Sequence, residues 1–373
     1  MNKNSLKRKI GYQLGMTGFT RFSNILRLLP LSLSIHPRYG LRLLLIIVTS
    51  VVSAPLRLLE SLRYGRVINE TKVHEMPIFI VGHWRSGTTH LHNLMIQDAN
   101  FGFVSMYQSV VPECSLVGGH WLKRILARII PLKRPMDNME WPLDAPQEEE
   151  FPLAKMMPWG FYVNFLFPSK TRELFRRYVL MDEAPAGVEA EFLHNYLKIL
   201  KIASLRCGGK RLVLKNPVNT ARMTRLLKIF PNARFIHIHR SPYEVFMSTQ
   251  GLHQNLLTLA TLQKINLRTA KETVLILYES MMRRYFAERE LVPSGHLVEV
   301  RYANLVQNPL GELERIYCQL QLPGFERALP AFTAYTNAQQ SYEKNSHQIS
   351  EADRCLVNEH WRFAFETLGY PLE

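Results

Sequence analysis

The chain has 373 residues, 47% hydrophobic and 21% charged, the composition of a globular protein with a large buried core. Its formal net charge of +15 calls for anionic partners, but there is no zinc-finger spacing, Lys/Arg-rich tail or RNA-recognition signature, which sets nucleic acid aside. Four scattered cysteines without a C-x-x-C pair exclude thiol metal and redox motifs, and read as isolated buried thiols of a reducing compartment.

Residues 1–75 stand apart from the rest. Lys3, Lys7, Arg8 and Lys9 open the chain, and an uncharged run from Leu43 to Leu56 follows between Arg42 and Arg57. That run falls short of the roughly 18–20 residues that span a bilayer as a helix. It also starts too late, and lacks the small-residue cleavage site, for a signal peptide. A monotopic or interfacial helix with basic neighbours fits better, placing the protein on the cytoplasmic side of a membrane. The alternatives are that residues 41–62 pack on the rest of a cytoplasmic protein, or that they form a single tilted span.

The next element is the densest in information. Pro77-Ile78-Phe79-Ile80-Val81 reads as a buried parallel strand. Gly82 and Gly87 bracket a short loop, and Thr88, Thr89, Leu91, Leu94 and Met95 open a helix. Strand, glycine-bounded loop and helix N-terminus together form an anion trap. The loop resembles the nucleotide-binding P-loop, G-x-x-x-x-G-K-[ST], except that Thr88 stands where the lysine should be and the nearest cation is Arg85. Such a loop is poorly equipped for γ-phosphoryl transfer but can hold a shorter 5′-diphosphate-like group.

Further along, Glu148, Glu149 and Glu150 sit among Trp141, Pro142, Pro146, Phe151, Trp159 and Phe161. They are either a solvated charge run or carboxylates whose apolar surroundings suit general-base duty. Helix is expected from about 169 to 202. A second strand, Arg211–Lys215, delivers Lys215 at its carboxyl end, and a helix is expected over 219–230. A third strand, Arg234–His239, leads to Arg240, with Ser248 about two helical turns beyond. His237 and His239 share one strand face, but no third metal ligand stands at a diagnostic spacing, so core or near-site histidines are expected and no metal. Helix follows over 256–291, a fourth strand over 296–302, and helices over 309–320 and at the C-terminus. Strands alternating with helices imply a parallel sheet with ligands at the strands' carboxyl ends, where Arg85, Lys215, Arg240 and Tyr302 all fall.

With the Arg85–His90 loop, the Arg240…Ser248 pair and the Arg301-Tyr302-Ala303-Asn304-Leu305…Asn308-Pro309 segment in view, residues 76–373 resemble a sulfotransferase. The likeness is closest to the bacterial-type, membrane-associated branch. It implies a P-loop-related three-layer α/β fold, with a central parallel β-sheet flanked by helices and the apolar N-terminal helical segment attached. It implies 3′-phosphoadenosine 5′-phosphosulfate (PAPS) as donor and a hydroxyl as acceptor; the apolar N-terminal segment and the aromatic stretch from Trp141 to Phe167 suit a hydroxylated small molecule or lipid of amphipathic character. By position, Arg85, Ser86, Gly87, Thr88, Thr89 and His90 would cradle the 5′-phosphosulfate, and Arg240 with Ser248 would grip the 3′-phosphate. Tyr302 would lie beside the adenine, and Lys344 would touch the 3′-phosphate.

Two departures shape the expected chemistry. Pro217 stands where cytosolic relatives carry a catalytic histidine, so Lys215 can steady the sulfuryl group while the base comes from elsewhere. Other branches use a glutamate, which makes Glu148 the leading base and Glu150 the second, ahead of His83, His90 and His92. The C-terminal Arg-Lys-Gly segment of cytosolic members is also absent. A P-loop kinase with a rearranged loop and a non-catalytic, membrane-bound member of the fold are the competing readings.

Overall fold

A computed structural model of the chain describes residues 3–28, 30, 35–131, 141–264, 267–339 and 349–373. Lys344 therefore lies outside the described residues. The chain divides into two compact units. One comprises residues 1–72, 104–208 and 252–270, and the other 73–103, 209–251 and 271–373.

Among the described residues the second unit has five strands: β1 Ile78–Val81, β2 Phe101–Gly102, β3 Arg211–Lys215, β4 Arg234–His239 and β5 Leu297–Arg301. All pair in parallel, in the spatial order β2-β3-β1-β4-β5. The central strand β1 is buried on both faces, which is why its sequence is continuously apolar rather than alternating. On one face Ile78, Ile80, Val213, Ile236 and Val298 pack against Leu91, Leu94, Leu313, Ile316 and Phe332 from the helices. On the other, Phe79 stacks on Phe235 with ring centres 5.5 Å apart and meets Phe230 at 6.3 Å. Trp361 is fully buried, stacks on Tyr278 at 3.8 Å and donates its indole N–H to Leu275 O at 3.0 Å. Helices thus cover both faces of the sheet, giving the three-layer α/β fold that the sequence implied.

Within these layers several boundaries differ from expectation. The 219–230 helix is a 3₁₀ turn, Pro217–Ala221, followed by a helix only over Met223–Ile229. The fourth strand stops at Arg301, because Tyr302 already opens the helix Tyr302–Gln307. The expected 256–291 helix is two, Pro242–Ala260 and Leu267–Glu288.

The first unit is helical. Its dominant element is a 31-residue helix, Gly40–Glu70, more than twice the length of the uncharged run at its heart. It packs against Ser115–Ala127 and Val188–Arg206 through Ile46, Ser50, Ser53, Glu60 and Ile68. Tyr12, Tyr107, Val110, Val111, Leu122, Leu126 and Trp141 form an adjoining core. The helix expected over 169–202 is broken: a π-turn Arg176–Leu180 ends at Met181 in the left-handed region (φ 59°), and a new helix starts only at Val188. Pro185 and Gly187 (φ 84°) lie in the gap and prevent a continuous helix. All four cysteines are free thiols, but only Cys114 is buried, and Cys318 and Cys355 are exposed. The expectation of four buried thiols therefore fails, since helix surfaces accommodate a lone cysteine without a core.

Candidate active site

β1 delivers the chain into the loop at the middle of the sheet's carboxyl edge. Gly82 has φ 139°, and a Cβ there would lie 2.2 Å from Ile238 O of β4. The loop turns tightly on itself: Ser86 Oγ donates to His83 O at 2.6 Å and Ser86 N donates to the same oxygen at 3.2 Å. Gly82 N donates to Thr220 Oγ1 at 2.7 Å, tying the loop to the turn after β3. Arg85 adopts φ 69°, uncommon for a residue with a side chain. Gly87 has φ 101°, and a Cβ there would fall 2.2 Å from the Tyr302 ring. The close approach and the positive φ each require glycine. The helix Thr88–Met95 begins at once, with its dipole and first-turn N–H groups favouring an anion.

The expected partners gather around this loop. Arg85 Nε donates to Ser248 Oγ at 2.8 Å, so Ser248 meets the loop arginine rather than Arg240. The Arg240 guanidinium sits 4.8 Å from the centre of the Tyr302 ring and pairs with Glu244 Oε1 at 2.5 Å. His90 stands edge-on to Tyr302 with centroids 6.5 Å apart. Arg85, Gly87, His90, Arg240, Ser248 and Tyr302 therefore converge, although they come from the ends of β1, β4 and β5 and from two helices. Lys215 ends β3 in register with Ile80 of β1 and is buried, 3% exposed. The ensemble is a cationic edge beside an aromatic ring, suited to an anionic ligand.

Two histidines named as possible bases are differently employed. His92 is buried, with Nε2 against Val213 O at 3.1 Å. Burial, with the nearby Lys215 charge adding to it, pushes its pKa down to about 3, so the ring is neutral. His83 is 3% exposed, wedged edge-on between Trp84 and Tyr278, with Nδ1 at 2.9 Å from Trp84 O. On β4, His237 is fully buried and stacks on Tyr285 at 3.8 Å, and His239 Nδ1 meets Tyr370 Oη at 2.9 Å.

The three glutamates belong to the helical unit and are buried, not a solvated run. Glu148 is 9% exposed, and its Oε2 accepts a short hydrogen bond from Tyr162 Oη. Glu149 is fully buried and accepts from Tyr196 Oη at 3.3 Å. Glu150, also fully buried, accepts the backbone N–H of Phe161 at 2.6 Å. Glu150 thus anchors the turn Phe161–Phe165, whereas Glu148 retains slight exposure and a phenolic hydrogen-bond partner. The sequence reading did not single out Tyr162 or Thr220. The first lies within the aromatic stretch from Trp141 to Phe167, the second five residues past Lys215, and neither carries a motif.

A model of the sulfotransferase family matches residues 77–327. Proteins of Mycobacterium bovis and Mycobacterium tuberculosis named omega-hydroxy-beta-dihydromenaquinone-9 sulfotransferase Stf3 are each 33% identical over 321 residues, covering 86% of this chain and 82% of theirs. Among solved structures, sulfotransferase STF9 from Mycobacterium avium superposes with a TM-score of 0.68 at 20% identity, covering 100% of this chain and 98% of its own. Sulfotransferase STF1 from Mycobacterium tuberculosis gives 0.67 at 19% identity, with coverages of 97% and 99%. These two structural likenesses concern the fold.

Proposed function

The chain belongs to the sulfotransferase family, and on that premise we propose that it moves a sulfuryl group from PAPS to a hydroxyl of an amphipathic or lipid-like acceptor. The observation that carries the donor assignment is the convergence of Arg85, Arg240, Ser248 and Tyr302 on a glycine-bounded loop without a Walker lysine. When bound, the donor supplies the sulfuryl group and leaves as adenosine 3′,5′-bisphosphate. Residues of the loop, Arg85 to His90, hold the 5′-phosphosulfate through backbone N–H groups, hydroxyls and the Arg85 fork. Arg240 and Ser248 hold the 3′-phosphate, and Tyr302 flanks the base. Gly87 lets the Tyr302 ring pack directly against the loop, which supports placing that ring beside the ligand. Lys215 and Arg85 stabilise charge developing on sulfuryl and leaving oxygens, the electrostatic contribution that commonly dominates transfer catalysis.

Glu148 takes the acceptor's hydroxyl proton, and Tyr162 orients it by the short hydrogen bond to Oε2. Glu150 is the second choice because its carboxylate already satisfies Phe161 N. The acceptor class draws support from the 33% identical relatives, whose name specifies a hydroxylated menaquinone lipid.

A membrane surface is the companion proposal, with residues 1–75 attaching the transfer domain 76–373 to its cytoplasmic side. The Gly40–Glu70 helix is long and apolar enough to cross a bilayer. Its orientation speaks for lying on one instead. Ser50, Ser53 and Glu60 face the protein, while Leu41, Leu44, Val51, Val52, Leu58 and Leu62 are exposed at 54–76%. Such an inverted helix suits the interfacial layer.

Incubation with ³⁵S-labelled PAPS or γ-³²P-labelled ATP and a lipid extract tests the donor. Label from PAPS alone should enter a hydroxylated lipid; label from ATP alone would indicate a kinase and overturn the reading.

A further inference from the structure

A cavity of about 630 Å³ opens within the helical unit beside the Gly40–Glu70 helix, apart from the residues assigned to transfer. Its volume lies in the usual range for small-molecule sites. Its walls combine cations with exposed apolar side chains. Arg57 donates to Ser53 Oγ at 2.6 Å and Ser50 O at 2.7 Å, and Lys201 donates to Asn69 O at 2.6 Å. These acceptors are neutral, so both charges remain available to an anion. Arg21 and Lys198 also line the cavity, but they hold Glu113: Arg21 at 2.5 and 2.6 Å, Lys198 at 2.7 Å.

The second carboxylate, Glu60, is 3% exposed and accepts the backbone N–H groups of Leu116 at 2.8 Å and Val117 at 3.1 Å. Its Oε1 is buried without a hydrogen-bond partner although the residue lines the cavity. Burial raises Glu60 to about 7, with the two N–H donors opposing and Glu113 adding to the rise. Near neutral pH a large share of Glu60 is therefore protonated, able to donate to a ligand oxygen. Four cations then face one fully ionised carboxylate, Glu113. Phe22 and Leu58, 43% and 62% exposed, line the same cavity, and Leu58 lies within the outward apolar face of the helix.

We propose that this cavity binds the headgroup of an anionic phospholipid, held by Arg57, Lys201 and Glu60, while the exposed face of the Gly40–Glu70 helix rests in the interfacial layer of the bilayer. Charge complementarity and continuity with the outward apolar stripe favour a lipid over a free anion. The proposal rests on the interfacial reading of that helix and is independent of sulfuryl transfer.

Sedimentation of the full chain with vesicles of phosphatidylcholine, or of phosphatidylcholine with phosphatidylglycerol, tests it. The double variant Arg57→Gln/Lys201→Gln is compared with Lys210→Gln/Arg327→Gln, which removes the same charge at exposed positions elsewhere. Each cation at an anionic surface contributes about fivefold in affinity, so the cavity pair should lose roughly 25-fold on phosphatidylglycerol vesicles. The control pair should lose less than about threefold, and binding to pure phosphatidylcholine should be unchanged in both. Should the cavity pair melt early, Lys201→Gln alone, losing about fivefold, replaces it. Equal losses in cavity and control pairs would reduce the effect to general electrostatics and overturn the site. Wild-type binding to neutral vesicles with no gain from phosphatidylglycerol would overturn it while leaving the interfacial helix standing. No binding to either vesicle would overturn both. Glycerol 1-phosphate binding in a Lys201-dependent way, without vesicle preference, would make the cavity a free-phosphate site instead.

Discussion

Glu148 and Glu150 are two residues apart, yet their surroundings divide their work. The Phe161 N–H that Glu150 accepts is buried, so Glu150→Ala should cost about 1–3 kcal/mol, read by thermal or denaturant unfolding. Glu148→Gln should instead lower kcat by about 10²–10⁴ while sparing donor binding and the melting temperature. Near-normal turnover in Glu148→Gln would move the base to another residue. Gly87→Ala places a methyl group 2.2 Å from the Tyr302 ring at φ 101°, and should weaken donor binding by at least about tenfold in calorimetric titration. At this scale the sequence showed which side chains stand at strand ends, because a parallel sheet collects its functional groups there. It did not show that Ser248 meets Arg85, that Arg240 pairs with Glu244, or that Tyr162 grips Glu148. The Ser248–Arg85 and Tyr162–Glu148 pairings join residues 163 and 14 positions apart, which no local pattern encodes, whereas Arg240 and Glu244 are an i,i+4 pair whose contact depends on the rotamers chosen.

Among the elements, the long helix was the least legible. Arg57, Glu60, Arg63 and Arg66 punctuate its second half, so the uncharged run ends at Leu56. In the fold two of these charges turn inward: Arg57 bonds back to Ser53 and Ser50, one and two turns earlier, and Glu60 seats under the N-terminus of Ser115–Ala127. Pro55 lies inside the helix and removes one ladder hydrogen bond, which masked its continuity further. The strands were easier, since short β-branched runs between glycines and prolines have few other uses. Glu60 also gives this helix a pH signature. Its folded pKa of about 7 lies above the ordinary 4.5, so the native state keeps a proton that the unfolded chain releases. Its contribution is therefore full below about pH 4.5 and declines as pH rises towards 7, at up to about 1.4 kcal/mol per pH unit. Glu113 behaves oppositely: burial alone would raise it, but Arg21 and Lys198 hold it at about 2, so its contribution fades only as pH falls below 4.5. Urea unfolding between pH 4.5 and 7 should show a decline in wild type that Glu60→Gln flattens; parallel curves would contradict this assignment.

For the whole molecule, the net charge of +15 narrowed the partners to anions, and the parallel sheet placed the anion-binding edge, but neither identified the chemistry. The resemblance to sulfotransferases, carried by the Arg85–His90 loop, the Arg240…Ser248 pair and the Tyr302 segment, supplied it. The division into two units was less legible, because residues 104–208 carry no repeat or linker to separate them from the sheet that precedes and follows them. Binding of the donor to the sheet-bearing unit is the central claim. Isothermal titration of the full chain with adenosine 3′,5′-bisphosphate, against ATP and adenosine 5′-monophosphate, tests it most directly. Tight binding that requires the 3′-phosphate, and that Arg85→Ala and Arg240→Ala each weaken by tenfold or more (about 1.4 kcal/mol) without loss of fold, is the predicted result. Preference for ATP, or affinity unchanged in both variants, would contradict the account.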